Sequence, residues 1–164
     1  MVIEDDESAD VIVEAVDDIA KERDGIIIDG VGEELDPGVF RFTQSEPSTS
    51  DTVVTFMLDT PTDAEATDFF LSAPAGNNLT LVSPGVWEVT ILANETEVDV
   101  TVNVVEDEQI ELDETVAIKI TDVTSATNAN VSIGGTDAAS LTIFDDDIGK
   151  VIICLLYTSP SPRD

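Results

Sequence analysis

The 164-residue sequence contains no histidine, a single cysteine and only 6 basic side chains against 36 acidic ones, for a formal net charge of -30. With no histidine and with Cys154 alone, the usual nitrogen and sulfur ligands of zinc and copper are missing. The same gap removes the base partner of a serine or cysteine nucleophile. With no glycine-rich phosphate loop either, an enzyme is the weakest class. One cysteine cannot close a disulfide within one copy. The shortage of positive charge disfavours nucleic acid and anionic membrane surfaces as partners. No apolar run reaches the ~18 residues of a membrane helix, and no signal-peptide pattern opens the sequence. Aromatic residues amount to 5%, leaving no platform for sugar rings, so paired carboxylates do not suggest a glycosidase.

What is present is alternation. The hydrophobic fraction of 42% rules against simple disorder. Val98, Val100, Val102 and Val104 alternate with Asp99, Thr101 and Asn103, and Val116, Ile118 and Ile120 alternate with Ala117 and Lys119. This is the period-two pattern of half-buried strands. Residues 11–16, 39–43, 52–58, 86–92, 97–105, 115–123 and 139–144 all read as strands, with 79–82 as a short additional one before Pro84-Gly85. Residues 59–70 read as an acid-bearing loop and 125–136 as a polar connection. Trp87, the only tryptophan, is assigned to the core. The implied class is all-β, an antiparallel immunoglobulin-like β-sandwich of about seven strands.

Between the two Val/Ile-rich strands lie six carboxylates, Glu106, Asp107, Glu108, Glu111, Asp113 and Glu114. No Gly, Asn or Pro tightens this stretch into a short hairpin, so a broader loop is expected. Two like charges about 4 Å apart repel by roughly 1 kcal/mol in water and roughly 4 kcal/mol at an effective dielectric near 20. Such a loop is a poor neutral connector and a plausible holder of a hard cation. Strand parity extends the argument. If successive strands alternate in direction, the connections after the first, third and fifth strands and the end of the seventh share one pole. Those segments hold Glu22, Asp68, the 106–114 acids and Asp145 to Asp147, whereas the opposite pole holds few acids.

These residues carry a resemblance. A Val-rich strand, two acids, a short gap, Glu, a spacer and Asp113-Glu114-Thr115, followed later by Leu141-Thr142-Ile143-Phe144-Asp145-Asp146-Asp147, resembles the Calx-beta domain. That is the calcium-binding β-sandwich module of sodium–calcium exchangers, integrin beta-4 and large bacterial surface proteins. The match covers roughly residues 11–147. Ala66-Thr67-Asp68-Phe69 resembles the family's small-Thr-Asp-aromatic step, and residues 20–25 resemble its Glu-containing end of the first strand. The resemblance implies Ca2+ ligation by the side chains of Glu22, Asp68, Glu106, Asp107, Glu111, Asp145, Asp146 and Asp147. It also implies a main-chain carbonyl, which falls on Gln109. Glu33 and Glu34 are alternatives to Glu22, and Glu106 stands where the family more usually has Asp.

Residues 1–8 repeat the texture of an aliphatic strand end followed by acids. They are expected to be the tail end of a preceding repeat, with 9–147 the Calx-beta-like domain. Residues 148–164, ending in a stretch that resembles a cloning or assembly scar, are expected to be a non-native tail. The function this implies is a calcium-binding structural or adhesive repeat of a large extracellular or cell-surface protein, bacterial in origin, with calcium stiffening the inter-domain junction. The expected partners are calcium ions, neighbouring repeats and a cell-surface or matrix ligand. The alternatives are a regulatory calcium sensor of a membrane transporter, or an acidic spacer without specific metal binding.

Overall fold

Residues 8–22, 35–107, 109–126 and 130–145 are described by a computed structural model. Expectations for residues 1–7 and 146–164, with Asp146, Asp147 and Cys154, and for Glu33 and Glu34, lie outside the described residues. Among the described residues eleven strands form, in chain order β1 (Ala9–Asp17), β2 (Ile19–Lys21), β3 (Gly38–Gln44), β4 (Thr52–Leu58), β5 (Phe69–Ser72), β6 (Thr80–Ser83), β7 (Val86–Ile91), β8 (Glu97–Val104), β9 (Glu114–Ser125), β10 (Val131–Ile133) and β11 (Ala138–Phe144). They build two sheets, ordered β10-β1-β3-β8-β5 and β2-β11-β9-β4-β7-β6. No helix among the described residues is long and apolar enough to cross a membrane.

The fold follows from alternation. On β3, Phe40 and Phe42 are fully buried while Val39 and Arg41 are only partly so, and on β8, Val98, Val100, Val102 and Val104 are all buried. The opposing sheet contributes Val54 and Phe56 from β4, Val89 and Ile91 from β7, Val116, Ile118 and Ile120 from β9, and Leu141 and Ile143 from β11. Phe42 and Phe56 meet across the two sheets with ring centroids 5.0 Å apart and planes tilted by 42°. Such a pair adds about 0.5–1.5 kcal/mol beyond the area it buries. Trp87 is half-buried against this core. On the outer face, Arg41 sits opposite Asp99 in the β3–β8 register and donates from Nε and an Nη to the two carboxylate oxygens at 2.7 and 2.8 Å.

All seven expected strands are present, and the count of about seven becomes eleven because four short ones join them. One of these, β6, falls on the additional strand expected at 79–82. The other three lack a legible alternation. β2 is the continuation of β1 after a break at Asp18, where the chain passes from one sheet to the other and pairs in parallel with β11. At this crossing β3 comes so close that a Cβ on Gly38 would stand 2.7 Å from Leu141 Cδ2 and 3.3 Å from the Asp17 carbonyl oxygen, which explains the glycine. β5 takes the last two residues of the expected 59–70 loop, and β10 arises inside the expected 125–136 connection, in parallel with β1. β1 and β2 share one direction and β5–β6 add a down-and-up excursion, so the alternation of the main strands survives. One pole therefore gathers Glu22, residues 59–68, residues 105–113 and Asp145.

Removing the ring that joins the sheets should be costly. Phe56→Ala should lower the unfolding free energy by about 3–5 kcal/mol in urea titration at fixed calcium. A loss under about 1 kcal/mol would contradict the packing described.

Candidate metal centre

The carboxylates of this pole are placed by the phase of the strands that carry them. Side chains two residues apart share a face of a strand. Ala20 is buried, and the next position in phase is Glu22; Val98 to Val104 lead in phase to Glu106; Leu141 and Ile143 lead to Asp145; and Glu114 precedes Val116, Ile118 and Ile120. Four inward rows thus run out of hydrophobic residues at the same end and continue as acids. The strand register brings them together, with Phe144 opposite Lys21, Ile143 opposite Glu114, and the Glu22 amide donating to the Phe144 carbonyl at 3.2 Å.

Asp68 arrives from a different direction. After β4 the 59–68 segment runs along the start of β9: the Thr62 hydroxyl bonds the Ala117 carbonyl at 3.0 Å and accepts its amide at 2.9 Å, while the Asp63 amide donates to the Thr115 carbonyl at 3.1 Å. The Asp63 carboxylate accepts the Thr115 amide in return. A short turn then delivers Asp68, whose carboxylate accepts the Glu65 amide and the Thr67 hydroxyl, the latter at 3.0 Å. Its carbonyl takes the Val105 amide at 2.8 Å, tying the turn to the end of β8. The 105–113 loop is organised internally: the Gln109 amide and side-chain NH2 donate to the two Asp107 oxygens at 2.6 and 2.8 Å, and the Glu111 amide donates to Asp145 Oδ2 at 2.7 Å.

Two neighbouring groups result, with Glu111 common to both. In one, carboxylate oxygens of Asp68, Glu111 and Glu114 all lie within 4.8 Å of one another. In the other, Glu22 stands in the field of Asp145, Asp107, Glu106 and Glu111. Asp68 and Glu22 are each only 8% exposed. The electrostatics reflect the crowding. Burial first, then the four neighbouring carboxylates, push the Glu22 carboxyl from its ordinary 4.5 up to about 7. Burial, a hydrogen bond with Asp68 and the charges of Asp68, Glu111 and Asp63 push Glu114 to about 7 as well. Burial, then Asp68 and Asp107, raise Glu111, whereas the Gln109 donors lower Asp107.

Of the residues expected from the sequence, Glu22, Asp68, Glu106, Asp107, Gln109, Glu111 and Asp145 all lie at this pole, and Asp146 and Asp147 lie outside the described residues. Gln109, expected to offer its carbonyl, uses its N–H groups to hold Asp107. Glu114 was not among the expected ligands, yet it sits in the tightest cluster. Its signal was available, since it is in phase with the buried face of β9.

The donor chemistry suits a hard divalent cation. Every ligand candidate is an oxygen, and oxygens bound at about 2.3–2.6 Å to one calcium stand up to about 5 Å apart. The 4.8 Å grouping of Asp68, Glu111 and Glu114 falls inside that span. An all-β sandwich closed at one pole by an oxygen-only carboxylate cluster is the class this defines.

No family model and no curated protein sequence matches the chain. Solved structures do. The apo-form Calx CBD1 domain aligns over 84% of this chain and 98% of its own, with a TM-score of 0.52 at 14% identity. The CBD12 structure from CALX1.2 aligns over 84% of this chain and 45% of its own, with a TM-score of 0.54 at 15% identity. A two-domain protein of unknown function from Bacteroides fragilis gives 0.51 at 12% identity, over 84% of this chain and 46% of that one. The chain therefore spans about half the length of these last two structures. Its fold is that of the Calx CBD domains, in agreement with the Calx-beta resemblance of the motifs.

The raised acids set a pH dependence. Native Glu22 and Glu114 hold protons between about 4.5 and 7, where the unfolded chain has released them. Native protein then binds more protons than unfolded, so stability falls as pH rises through this window. In EDTA the melting temperature should drop from pH 4.5 to 7 and then level. Glu22→Gln with Glu114→Gln should flatten the curve and raise the metal-free melting temperature at pH 8. A metal-free melting temperature that climbs across the window would contradict this assignment.

Proposed function

We propose that this domain binds calcium at the carboxylate pole and uses the ion as a structural staple. The observation that carries the proposal is the packing of Asp68, Glu111 and Glu114 carboxylate oxygens within 4.8 Å of one another. Asp68, Glu111 and Glu114 would hold one ion. Glu22, Asp145, Asp107 and Glu106 would hold a second, and Asp146 and Asp147 are proposed to complete it. Calcium supplies charge neutralisation and a shell of six to eight oxygens. The chain's part is to orient the carboxylates: Thr67 and the Glu65 amide fix Asp68, Gln109 fixes Asp107, and the Glu111 amide fixes Asp145. Binding would release the protons held by Glu22 and Glu114 and reverse the sign of the pole's contribution to stability. Likeness of fold to the Calx CBD domains supports the reading.

The wider role follows as part of the same proposal. β11 leads out at this pole through Asp145, so a domain following it would join beside the ions. We assign the domain to a structural or adhesive repeat of a cell-surface or extracellular protein, bacterial in origin, in which calcium stiffens the junction between neighbours. Extracellular modules bind calcium at about 10⁻⁴–10⁻³ M.

Thermal unfolding of the chain in EDTA, then with calcium or magnesium, tests this. At a hundredfold excess over the dissociation constant, calcium should add about 2.7 kcal/mol, roughly 5–10 °C for a domain of this size. Magnesium should do much less, and Asp68→Asn with Glu114→Gln should lose most of the shift. Equal, weak rises with both ions would leave only a screened acidic surface and remove the metal assignment. A midpoint far below 10⁻⁴ M would favour the sensor alternative over the extracellular rod.

A further inference from the structure

β5 is shorter than the strand it pairs with. It follows β8 only from Phe69 opposite Val104 to Ser72 opposite Thr101, whereas β3 covers the other side of β8 as far as Glu97. Neither pairing of β8 carries a register shift. Backbone groups alternate in direction along a strand. The Val105 amide donates to the Asp68 carbonyl, so the odd-numbered residues of β8 turn their N–H and C=O toward the β5 side. Continued by two residues, the register would set Pro74 opposite Asp99, and proline has no N–H to give. The pairing stops there. Among the described residues no strand then lies beside the β5-facing backbone groups of Glu97 and Asp99. An open cleft of about 630 Å³ runs along this edge, with Pro74, Asn77, Leu92, Glu95, Glu97 and Asp99 among its lining residues.

The cleft is rich in acceptors. Asn77 is only 6% exposed; its Nδ2 donates to the Thr90 carbonyl at 2.8 Å, and its Oδ1 accepts no hydrogen bond among the described residues. Glu95, Glu97 and Asp99 add three carboxylates. β3 shows what this structure sets against two of them. Arg41 donates to both Asp99 oxygens at 2.7 and 2.8 Å and lies 3.6 Å from Glu97. A strand on the other side of β8 would meet the same two side chains, with Glu95 beside them.

We infer that this cleft takes an extended, lysine- or arginine-bearing segment of a partner protein, which pairs with Glu97 and Asp99 in the line that β5 leaves at Ser72. Main-chain bonds to the open edge give the segment its place. Its cationic side chains, set beside Glu97 and Asp99 as Arg41 is on the other side, give it its identity. Asn77 Oδ1 and the Glu95 carboxylate accept from its remaining donors. Charge excludes a second copy of this chain, which would bring a net -30 of its own. The attraction is electrostatic and weakens as salt screens it. The cleft borders the start of β8, whereas the end of that strand feeds the carboxylate pole, so the site works without metal.

Amide hydrogen exchange of the full chain in calcium, read by NMR with and without a short capped peptide of alternating lysine and valine, tests the assignment. The peptide should slow exchange at the Glu97 and Asp99 amides and leave Val105, already bonded to Asp68, unchanged. Glu95→Lys should weaken binding about tenfold, and Ala75→Arg, exposed at the cleft, keeps the test informative if Glu95→Lys unfolds. Leu112→Lys, at the acid pole where Leu112 is 85% exposed, should leave binding unchanged. A peptide of equal charge with proline in place of valine should bind about tenfold more weakly, because it cannot add a strand. No binding at millimolar peptide overturns the inference. So does binding without slowed exchange at Glu97 and Asp99, or equal binding of the proline peptide.

Discussion

Mutual repulsion among carboxylates held at one end of the sandwich is the constraint from which the rest of this structure can be understood. The inward rows of β2, β8, β9 and β11 are hydrophobic for most of their length and then turn acidic at the same pole, at Glu22, Glu106, Glu114 and Asp145. The apolar part of each row is buried between the sheets, and that burial holds the acidic ends in place whatever their charge state. Left to themselves, these side chains would spread into water. Instead Glu22 is buried beside four other acids and holds its proton to about 7. The core thus stores an electrostatic cost at the pole that either protons or a cation can relieve.

Local hydrogen bonds determine which of the two is better accommodated. Asp68 is gripped by the Thr67 hydroxyl and the Glu65 amide, Asp107 by both donors of Gln109, and Asp145 by the Glu111 amide. Each of these bonds fixes the direction of its carboxylate, and the Gln109 donors favour the ionised form of Asp107. Glu22 and Glu114 take up protons because of burial first, reinforced by the neighbouring carboxylates and, for Glu114, by a hydrogen bond with Asp68. A pole built of oriented carboxylates with protonated companions offers the oxygen ligands that the calcium proposed for it would need.

Much of this was legible in the chain. The seven long strands announced themselves because alternation survives over five residues or more, as in Val98 to Val104. β2, β5 and β10 did not, because three or four residues carry too little periodicity and their pairing comes from neighbours distant in sequence. β10 pairs with β1 across more than half of the chain. Glu22, Asp68, Glu106, Asp107, Glu111 and Asp145 were readable as a set from the motifs and from strand parity. In sequence Glu114 is one acid among six, and only its phase with Val116 marks it as inward-facing. Gln109 was expected to serve through its carbonyl, and the donor role of its amide groups toward Asp107 depends on how the 105–113 loop folds back on itself.

By itself the sequence determined the all-β class, the sign and crowding of the charge, and the pole at which acids accumulate. Those properties are local: period-two alternation, residue type and the alternation of strand direction require no knowledge of neighbours. Which carboxylates touch was decided by the tertiary structure alone. The switch of β1 into β2 puts Glu22 beside Asp145, and the run of residues 59–68 along β9 puts Asp68 beside Glu114. The same topology leaves β10 and β5 at the ends of one sheet and β2 and β6 at the ends of the other. The reason is physical: a strand's pattern says which side is buried, but its partner and register come from packing energies summed over the whole sandwich.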